Sequence, residues 1–282
     1  MYLPLLGGDW DAVVDRTRTA EGAGFDVLWV GDHLDYPPGT PSLEAWTVLA
    51  AVAPMTTATL AIVTAAVSFR PAAVFAKMAT TLQHVSGGRF RCVLGAGVDE
   101  AEHRAFGVPF GTPRERVDRL ADYAAVCQRL WASDDPIEHD GPAALLQGAV
   151  NRPGPPSPIE LGFGGGGRRI IRLAATVGDE LCIGLREDIE EPALRLRDEI
   201  AVSGRSPRCS ALVPFIHDAH DHWLAGHPRD LNVAPAHIAE QMRRYRAAGV
   251  QTLYLVPAGS TAAEVAASRI DEIRRVAADT TA

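Results

Sequence analysis

Short β-rich runs alternate with longer amphipathic stretches along the whole chain, and this alternation limits the folds open to it. Eight runs have the composition of strands, and each is followed by a stretch with helical periodicity. A doubly wound sheet usually has about five to seven strands and a Gly-rich first turn, whereas eight repeats match a (β/α)8 barrel of roughly 250 residues. The predicted fold is therefore an α/β protein, a (β/α)8 TIM barrel. Its strands are predicted at 2–6, 26–30, 59–64, 90–94, 159–163, 180–183, 209–215 and 252–256. Its helices are predicted at 10–23, 42–53, 72–84, 113–131, 168–177, 188–202, 235–248 and 262–278.

The repeats run on without a Pro- or Ser-rich linker between two halves, which predicts one barrel domain over residues 1–282. The longest stretch without periodicity, at about 132–158, is rich in Pro, Gly, Asp and Asn. It predicts a long loop before the fifth strand, of the kind that often covers a site. The first predicted strand is short, because Gly7 follows it closely.

Charge and cysteine content restrict the class of partner. With 27 basic and 35 acidic residues the net charge is −8, which argues against nucleic-acid binding and favours a small-molecule substrate. The 4 cysteines have no CxxC spacing, which indicates free thiols in a reducing cytoplasm. We find neither a secretory signal nor an apolar run of about 18 residues, so we expect a cytoplasmic protein with no membrane partner.

The residues that follow each strand are the functional candidates, because the carboxyl ends of barrel strands meet on one face. Asp32 and His33 follow the second predicted strand. An adjacent acid and imidazole can position a substrate or carry protons near neutral pH, although a loop pair that merely caps the next segment is equally compatible with the pattern.

Glycines follow the fourth and fifth predicted strands. The run of Gly164, Gly165, Gly166 and Gly167 leads directly into Arg168 at the start of a predicted helix. Exposed backbone N–H groups and a helix N-terminus favour an anion such as phosphate, and a tight turn without a ligand is the alternative. Gly95 and Gly97 give a weaker signal of the same kind, since small residues let a flat ligand lie close to the barrel mouth.

Histidines crowd the segment after the seventh predicted strand, at His217, His220, His222 and His227. Neither an HExxH pattern nor a cysteine pair accompanies them, so a polar loop is favoured over a metal site. His217 lies nearest the barrel mouth and is a candidate substrate contact. The remaining histidines of interest, His84, His103 and His139, are predicted to lie at the surface or at helix ends.

Several ordered blocks of the chain resemble the bacterial luciferase-like family of flavin-dependent oxidoreductases. The blocks lie at 20–34 (AEGAGFDVLWVGDHL), 68–70 (SFR), 76–82 (AKMATTL), 86–90 (SGGRF), 94–97 (LGAG), 100–103 (EAEH), 106–110 (FGVPF), 164–167 (GGGG) and 241–250 (QMRRYRAAGV). Together they span nearly the whole chain. The resemblance implies a luciferase-like barrel that uses reduced FMN or the deazaflavin coenzyme F420.

The resemblance also assigns roles to the candidate residues. Asp32 and His33 would be the catalytic pair beside the reactive face of the cofactor. The cofactor would be bound by the bulge Val63, Thr64 and Ala65, by Gly95 and Gly97, and by Gly164, Gly165, Gly166, Gly167 and Arg168. Many family members have a non-proline cis peptide in that bulge, and Val63–Thr64 is the candidate bond here. No metal site is implied.

Two positions depart from the family pattern. Val98 stands where a tryptophan commonly follows the Gly-x-Gly, and Pro71 stands where a histidine commonly follows the arginine. The smaller Val98 would widen the pocket for a bulkier substrate. Val98, Glu100 and His217 are the predicted substrate contacts.

The leading hypothesis is an oxidoreductase that transfers a hydride with coenzyme F420, because the Gly-Ala-Gly and Glu-Ala-Glu-His blocks most resemble that branch of the family. Arg168 and Arg169 are also available to bind the acidic tail of this cofactor. The first alternative is a monooxygenase that uses reduced FMN, supplied by a separate flavin reductase, and O2 through a peroxyflavin. The second is a barrel that binds a flavin or another ligand without turnover. A homodimer is expected in each case.

Overall fold

The structure is a computed structural model that describes residues 1–5, 7–36, 38–185, 188–216 and 243–258. Its helices in these ranges are α1 (Trp10–Gly22), α2 (Ala45–Val52) with a 3-10 turn (Ala53–Met55), α3 (Ala72–Val85), α4 (Glu100–Ala105), α5 (Pro113–Ala132), α6 (Arg168–Val177) and α7 (Glu190–Ser203). Its strands are β1 (Val27–Val30), β2 (Thr59–Ala66), β3 (Phe90–Gly95), β4 (Ile137–Gly141), β5 (Ala144–Ala149), β6 (Glu160–Gly164), β7 (Glu180–Ile183), β8 (Arg208–Ile216) and β9 (Thr252–Ala258). Among the described helices, none is both long and apolar enough to span a bilayer.

Seven parallel strands form a nearly closed barrel in the order β1-β2-β3-β6-β7-β8-β9. The chain start lies between the two outer strands, β1 and β9, and links them. Tyr2 forms a parallel bridge with Trp29 of β1, and its N–H donates to Leu255 O of β9 at 3.2 Å. The carboxyl ends of the strands therefore surround one common mouth, as the barrel prediction requires.

Two apolar clusters stabilise this arrangement. One fills the barrel interior with Trp29, Ala61, Val63, Val93, Cys182, Tyr254 and Val256. The larger one lies between the sheet and its helices, where the rings of Phe75 on α3 and Tyr123 on α5 meet edge to face at 5.3 Å. Each such aromatic side chain contributes a large buried apolar area, so these contacts fix the helices against the strands.

Local sequence signals set the helix ends. Thr112 and Glu115 form a reciprocal capping box at the start of α5, with Pro113 in the first turn. Gly204 ends α7 in the left-handed conformation, at φ 70°, which glycine adopts without steric cost. The predictions for 168–177 and 180–183 coincide with α6 and β7, and the other predicted elements in the described ranges agree to within a few residues, apart from the first strand and the start of α2.

The segment at 132–158, predicted as a long loop, contains the antiparallel hairpin β4–β5, which corrects that prediction. Apolar and polar contacts both hold the hairpin, since Ile137 is buried in the larger core cluster and Ala144, Leu146 and Ala149 pack against it. Asp122 of α5 accepts hydrogen bonds from His139 Nε2 and from the Ala143 N–H, each at 2.9 Å. Strand periodicity in hydrophobicity is weak there, so the sequence pattern did not reveal it.

In the first predicted strand, 2–6, the described residues form one bridge to β1, at Tyr2. Pro4 has no N–H to donate, so pairing with β1 ends at Leu3, and the Leu5 carbonyl oxygen instead accepts from the Leu43 N–H at 3.1 Å. The short helix α4, capped by Asp99, was not predicted. The predicted helix at 262–278 and most of the one at 235–248 fall outside the described residues.

Candidate functional site

A cavity of about 420 Å³ opens at the carboxyl ends of the strands. Its size and its largely apolar wall with a few polar groups are typical of small-molecule sites. The described residues that line it are Tyr2, Leu5, Trp29, Gly31, Asp32, His33, Tyr36, Ser42, Val63, Thr64, Ala66, Phe69, Gly95, Ala96, Gly97, Val98, Glu102, His103, Gly164, Gly165, Ile170, Cys182, Gly184, Leu185, Leu212 and Val256.

One wall of the cavity is the bulge near the end of β2. The Val63–Thr64 peptide is cis, as predicted. The pairing of β2 with β3 skips Thr64, because Val63 pairs with Val93 and Ala65 with Leu94. The Thr64 side chain is packed between two glycines, and a Cβ added at Gly95 or at Gly164 would collide with it. These glycines are therefore required for the side chain to occupy the cavity wall.

Asp32 is the buried acid of the site, at 3% exposure. Its Oδ2 accepts from Arg70 Nη1 at 2.6 Å and from the Ala66 N–H at 3.1 Å. Among the described residues, none donates a hydrogen bond to its Oδ1, although that atom is buried. Burial raises the pKa of Asp32 above its usual value, while the charge and hydrogen bond of Arg70 act against that rise.

The second acid of the site, Glu102 of α4, binds the loop that carries His33. Glu102 Oε1 accepts from the N–H groups of Leu34 at 2.6 Å and Asp35 at 3.1 Å, and Oε2 lies 3.1 Å from His33 Nδ1. Burial alone would raise the pKa of Glu102, but the hydrogen bonds from His33 and the two N–H groups outweigh it and lower the pKa. An ionised Glu102 only accepts, so His33 Nδ1 carries a hydrogen.

His103 lies in the last turn of α4, as the helix-end prediction allowed, but it is buried at 1% exposure and not at the surface. Its Nδ1 donates to Asp99 O at 2.5 Å, and its Nε2 lies 2.6 Å from Ser68 Oγ. The ring also packs against Phe69 and Phe110, with centroids 4.7 Å from each. Its neighbours satisfy both ring nitrogens, so His103 joins α4 to the β2–α3 loop at the cavity mouth.

The glycine run connects the cavity to the start of α6. Gly165 has φ 139°, and a Cβ there would lie 2.9 Å from Ile170 Cδ1. Gly167 caps α6 without a side chain, which leaves the first N–H groups of the helix free of a capping side chain. Gly167, Arg168 and Ile170 line a shallow pocket beside the main cavity, and Ile170 lines both. This arrangement suits an anionic group attached to a ligand in the cavity.

Comparison with known proteins identifies the family. A family model described as luciferase-like monooxygenase matches residues 4–224. The chain belongs to the luciferase-like monooxygenase family. The family resemblance carried by the ordered sequence blocks is thus confirmed.

Curated relatives in this family cover two kinds of enzyme. An F420-dependent glucose-6-phosphate dehydrogenase of Kineococcus radiotolerans is 31% identical over 206 residues, which cover 69% of this chain and 59% of the relative. Pyrimidine monooxygenase RutA of an Enterobacter species is 26% identical over 228 residues, which cover 75% of this chain and 61% of the relative. The chain thus spans about three fifths of the length of these relatives.

Solved structures agree with the barrel fold. An F420-dependent secondary alcohol dehydrogenase in complex with an F420-acetone adduct superposes with a TM-score of 0.82 at 18% identity, covering 97% of this chain and 98% of that one. Monooxygenase RslO1 from Streptomyces bottropensis superposes with a TM-score of 0.75 at 17% identity, covering 99% and 97%. At these identities the likeness concerns the fold alone.

The cavity of this luciferase-like protein fits a flavin-type ring. Its wall is mainly apolar and encloses about 420 Å³. The buried Oδ1 of Asp32 offers an acceptor without a partner among the described residues. A flat heterocycle with a ring N–H or hydroxyl matches both features.

Most of the predicted site residues gather at this cavity, namely Asp32, His33, Val63, Thr64, Gly95, Gly97, Val98, Gly164 and Gly165. Others lie around it: Ala65 is buried outside the lining, while Gly166, Gly167 and Arg168 continue toward α6. Glu100 is exposed and lies outside the lining. His217 lies outside the described residues.

Sequence reasoning missed four polar residues that build the site: Glu44, Arg70, Glu102 and His103. Three of them belong to the quoted blocks SFR and EAEH, which carried the family resemblance without a role for these side chains. Helix α4 has only 6 residues, too few for a periodic pattern to show that Glu102 faces inward and Glu100 faces outward.

Proposed function

We propose that this protein is an oxidoreductase that transfers a hydride between coenzyme F420 and a small organic substrate. The observation that carries the proposal is the His33–Glu102 pair, which lies with Asp32 at one apolar cavity of the barrel mouth. Such a pair can take a proton from a hydroxyl group, which is the half of an alcohol oxidation that the protein itself must perform.

We assign cofactor binding to two parts of the site. Val63, Thr64 and Ala65, with Gly95 and Gly97, would support the ring. Gly164, Gly165, Gly166, Gly167 and Arg168 would hold the phosphate, where the N-terminus of α6 favours negative charge. When bound, the deazaflavin supplies the carbon that accepts or returns the hydride.

His33 would handle the proton. With Nδ1 hydrogen-bonded to Glu102, the neutral ring has its lone pair on Nε2. The side chain is 33% exposed and lines the cavity, so Nε2 can reach a substrate hydroxyl. Glu102, at 2% side-chain exposure, then stabilises the imidazolium formed when Nε2 takes the proton.

The charge of the cavity favours an uncharged alcohol or carbonyl substrate. Its described lining includes the acids Asp32 and Glu102 and no lysine or arginine, the side chains that most often bind a phosphorylated substrate. Val98, 74% exposed at the rim, would set the size limit. Of the two acids on α4, we assign Glu102 and not the predicted Glu100 as the one that would face the substrate, because only Glu102 lines the cavity. His217 stays a predicted substrate contact.

A reduced-FMN-dependent monooxygenase is the second candidate, and the similarity to pyrimidine monooxygenase RutA favours it. In that case a separate flavin reductase would supply the cofactor and O2 would be consumed. Ligand binding without turnover is the third candidate.

Anaerobic fluorescence titrations with reduced and oxidised FMN and coenzyme F420 test the proposal, followed by turnover assays with small alcohols with and without O2. We expect tight binding of the deazaflavin and turnover that does not need O2. His33→Asn should lower kcat by about 100-fold or more while binding persists, since general acid–base catalysis typically contributes that much. The exposed His84→Asn is the matched control.

Preference for reduced FMN with O2-dependent product would establish the monooxygenase instead. Binding of either cofactor without turnover would support a binding protein. Binding of neither would refute both the oxidoreductase and the monooxygenase hypotheses.

A further inference from the structure

We propose that Arg70, held in place by Glu44, is a positioning residue that favours the charged form of Asp32 and leaves its Oδ1 for the ligand in the cavity. The inference rests on the proposed function in so far as Asp32 faces that ligand. Arg70 lies in the loop between β2 and α3 and is not among the described residues that line the cavity, whereas its hydrogen-bond partner Asp32 is. It would therefore act through Asp32.

The guanidinium of Arg70 bridges two carboxylates. Nη1 donates to Asp32 Oδ2 at 2.6 Å, and Nη2 donates to Glu44 Oε1 at 2.6 Å. Its side chain is 13% exposed and the Asp32 side chain 1%, so the bridge runs from the interior toward the surface. Short charge-assisted hydrogen bonds at this burial fix the orientation of the carboxylate.

Other contacts hold Arg70 in this pose. Its Cζ lies 5.6 Å from the centroid of the Trp46 ring, and its carbonyl oxygen accepts from Tyr123 Oη at 3.2 Å. A flexible lysine could reach only one of the two carboxylates and would not keep the planar fork that spans them.

Glu44 anchors the far end of the bridge. It caps α2 by accepting from the N–H groups of Trp46 at 3.1 Å and Thr47 at 2.7 Å, as well as from the Thr47 hydroxyl at 2.7 Å. Partial burial opposes its ionisation, but the hydrogen bonds from Thr47 and Trp46 and the charge of Arg70 outweigh this and lower its pKa. The anchor is therefore an anion tied to a helix N-terminus, a stable site for negative charge.

The charges around Asp32 predict opposite effects for two substitutions. The groups that face it are Arg70, Glu44 and the neutral phenol of Tyr123. Removing Arg70 removes the only one of these that lowers the pKa of Asp32, while removing the charge of Glu44 removes one that raises it. Arg70→Met should shift the titration of Asp32 to higher pH, and Glu44→Gln should shift it to lower pH.

The first experiment follows the Asp32 carboxyl by ¹³C NMR in the full-length, ligand-free protein, with Asp32→Asn identifying the signal. Arg89→Met is the matched control, because Arg89 is also partly buried but donates to the backbone oxygens of Ala58 and Ala53 rather than to a carboxylate. We expect shifts of opposite sign in the two test variants, a partial return in Arg70→Lys, and none in the control.

The second experiment measures affinity for coenzyme F420 and FMN at pH 7 and at higher pH. Arg70→Met should weaken binding of the preferred cofactor by about 10- to 100-fold, the worth of a hydrogen bond to an ionised group, with recovery as pH rises. An unchanged Asp32 titration in Arg70→Met would overturn the inference. Should Arg70→Met fail to fold, Arg70→Gln, which also removes the charge, takes its place, and an unchanged Asp32 titration in that variant would overturn the inference.

A shifted titration in a protein that binds neither cofactor would support the role of Arg70 and refute the proposed function. Weaker binding together with an unshifted titration would instead mean that Arg70 acts only on stability, against the inference.

Discussion

Gly164 is the position where a single methyl group should disturb the site most directly. In Gly164→Ala the new Cβ would collide with Thr64 Cγ2 and lie 3.5 Å from Val93 Cγ1. Thr64 has little room to turn away, because a Cβ-free Gly95 already adjoins its hydroxyl on the other side. The wall of the cavity must therefore shift to accept the substitution.

The expected cost follows from two opposing terms. Overpacking a dense core typically lowers the free energy of unfolding by about 1–3 kcal/mol. Replacing glycine by alanine raises it by roughly 0.4–1 kcal/mol, because alanine reduces the conformational entropy of the unfolded chain. The net loss should be about 1–2 kcal/mol, or roughly 2–8 °C in Tm for a protein of this size. Cofactor affinity should fall as well, since Thr64 lines the cavity.

Urea and thermal unfolding of four variants test this reasoning: Gly164→Ala, Gly184→Ala, Thr64→Ser, and the double variant of Gly164→Ala with Thr64→Ser. Gly184→Ala is the matched control, because Gly184 also lines the cavity but an added Cβ there meets nothing within 4 Å. Thr64→Ser removes the methyl group that Gly164→Ala strikes, so the double variant should recover part of the lost stability. If Gly164→Ala proved as stable as Gly184→Ala, or if Thr64→Ser gave no recovery, the packing argument would be refuted.

Three further predictions follow from burial and charge. Glu102→Gln should cost about 1.5–3 kcal/mol at neutral pH, the worth of hydrogen bonds to a charged group. Folding lowers the pKa of Glu102 from its usual 4.5, so the difference in unfolding free energy between wild type and Glu102→Gln is complete above that pH and shrinks below it. Urea unfolding across pH measures this difference, and a difference that grew on acidification would contradict the prediction. Burial raises the pKa of all four thiols, that of Cys209 to about 12, so a thiol reagent should label the native protein only after denaturant is added, and rapid native labelling would contradict the buried placement. Val98→Trp should reduce turnover of bulky substrates more than of small ones, and an equal effect at all sizes would exclude Val98 as a size limit.

Much of the barrel could be predicted because its strands are apolar runs whose two faces are both buried. β3 and β7 are buried at every position, and such runs stand out in a sequence. The hairpin β4–β5 was not predicted, because hydrophobicity alternates only weakly in its strands and part of what holds it is contact with distant Asp122, which bonds His139 and Ala143. The homodimer and the roles of His217 stay predictions.

The site was predictable where position alone decides it. Asp32, His33 and the glycines follow strand ends, and the barrel rule places such residues at one mouth. Arg70, Glu44 and His103 act through partners on other elements, and a sequence does not show which distant side chain an ion pair will join. Glu102 and Glu100 differ by two positions on α4, yet only Glu102 turns inward, because residues two apart on a helix point about 200° away from each other around its axis.

The closure of the barrel between β1 and β9 has a consequence for ligand binding. In the described part of the chain, this seam consists of a few bonds made by residues 1–3 and by the Trp29 indole, whereas β8 and β9 pair at seven positions. Partial unfolding of the ring should therefore begin at the seam. Tyr2 and Trp29 also line the cavity, so a ligand packed against both would tie the two edges together. Occupancy and ring closure are then thermodynamically linked, and a bound ligand should slow amide exchange along β1 and β9.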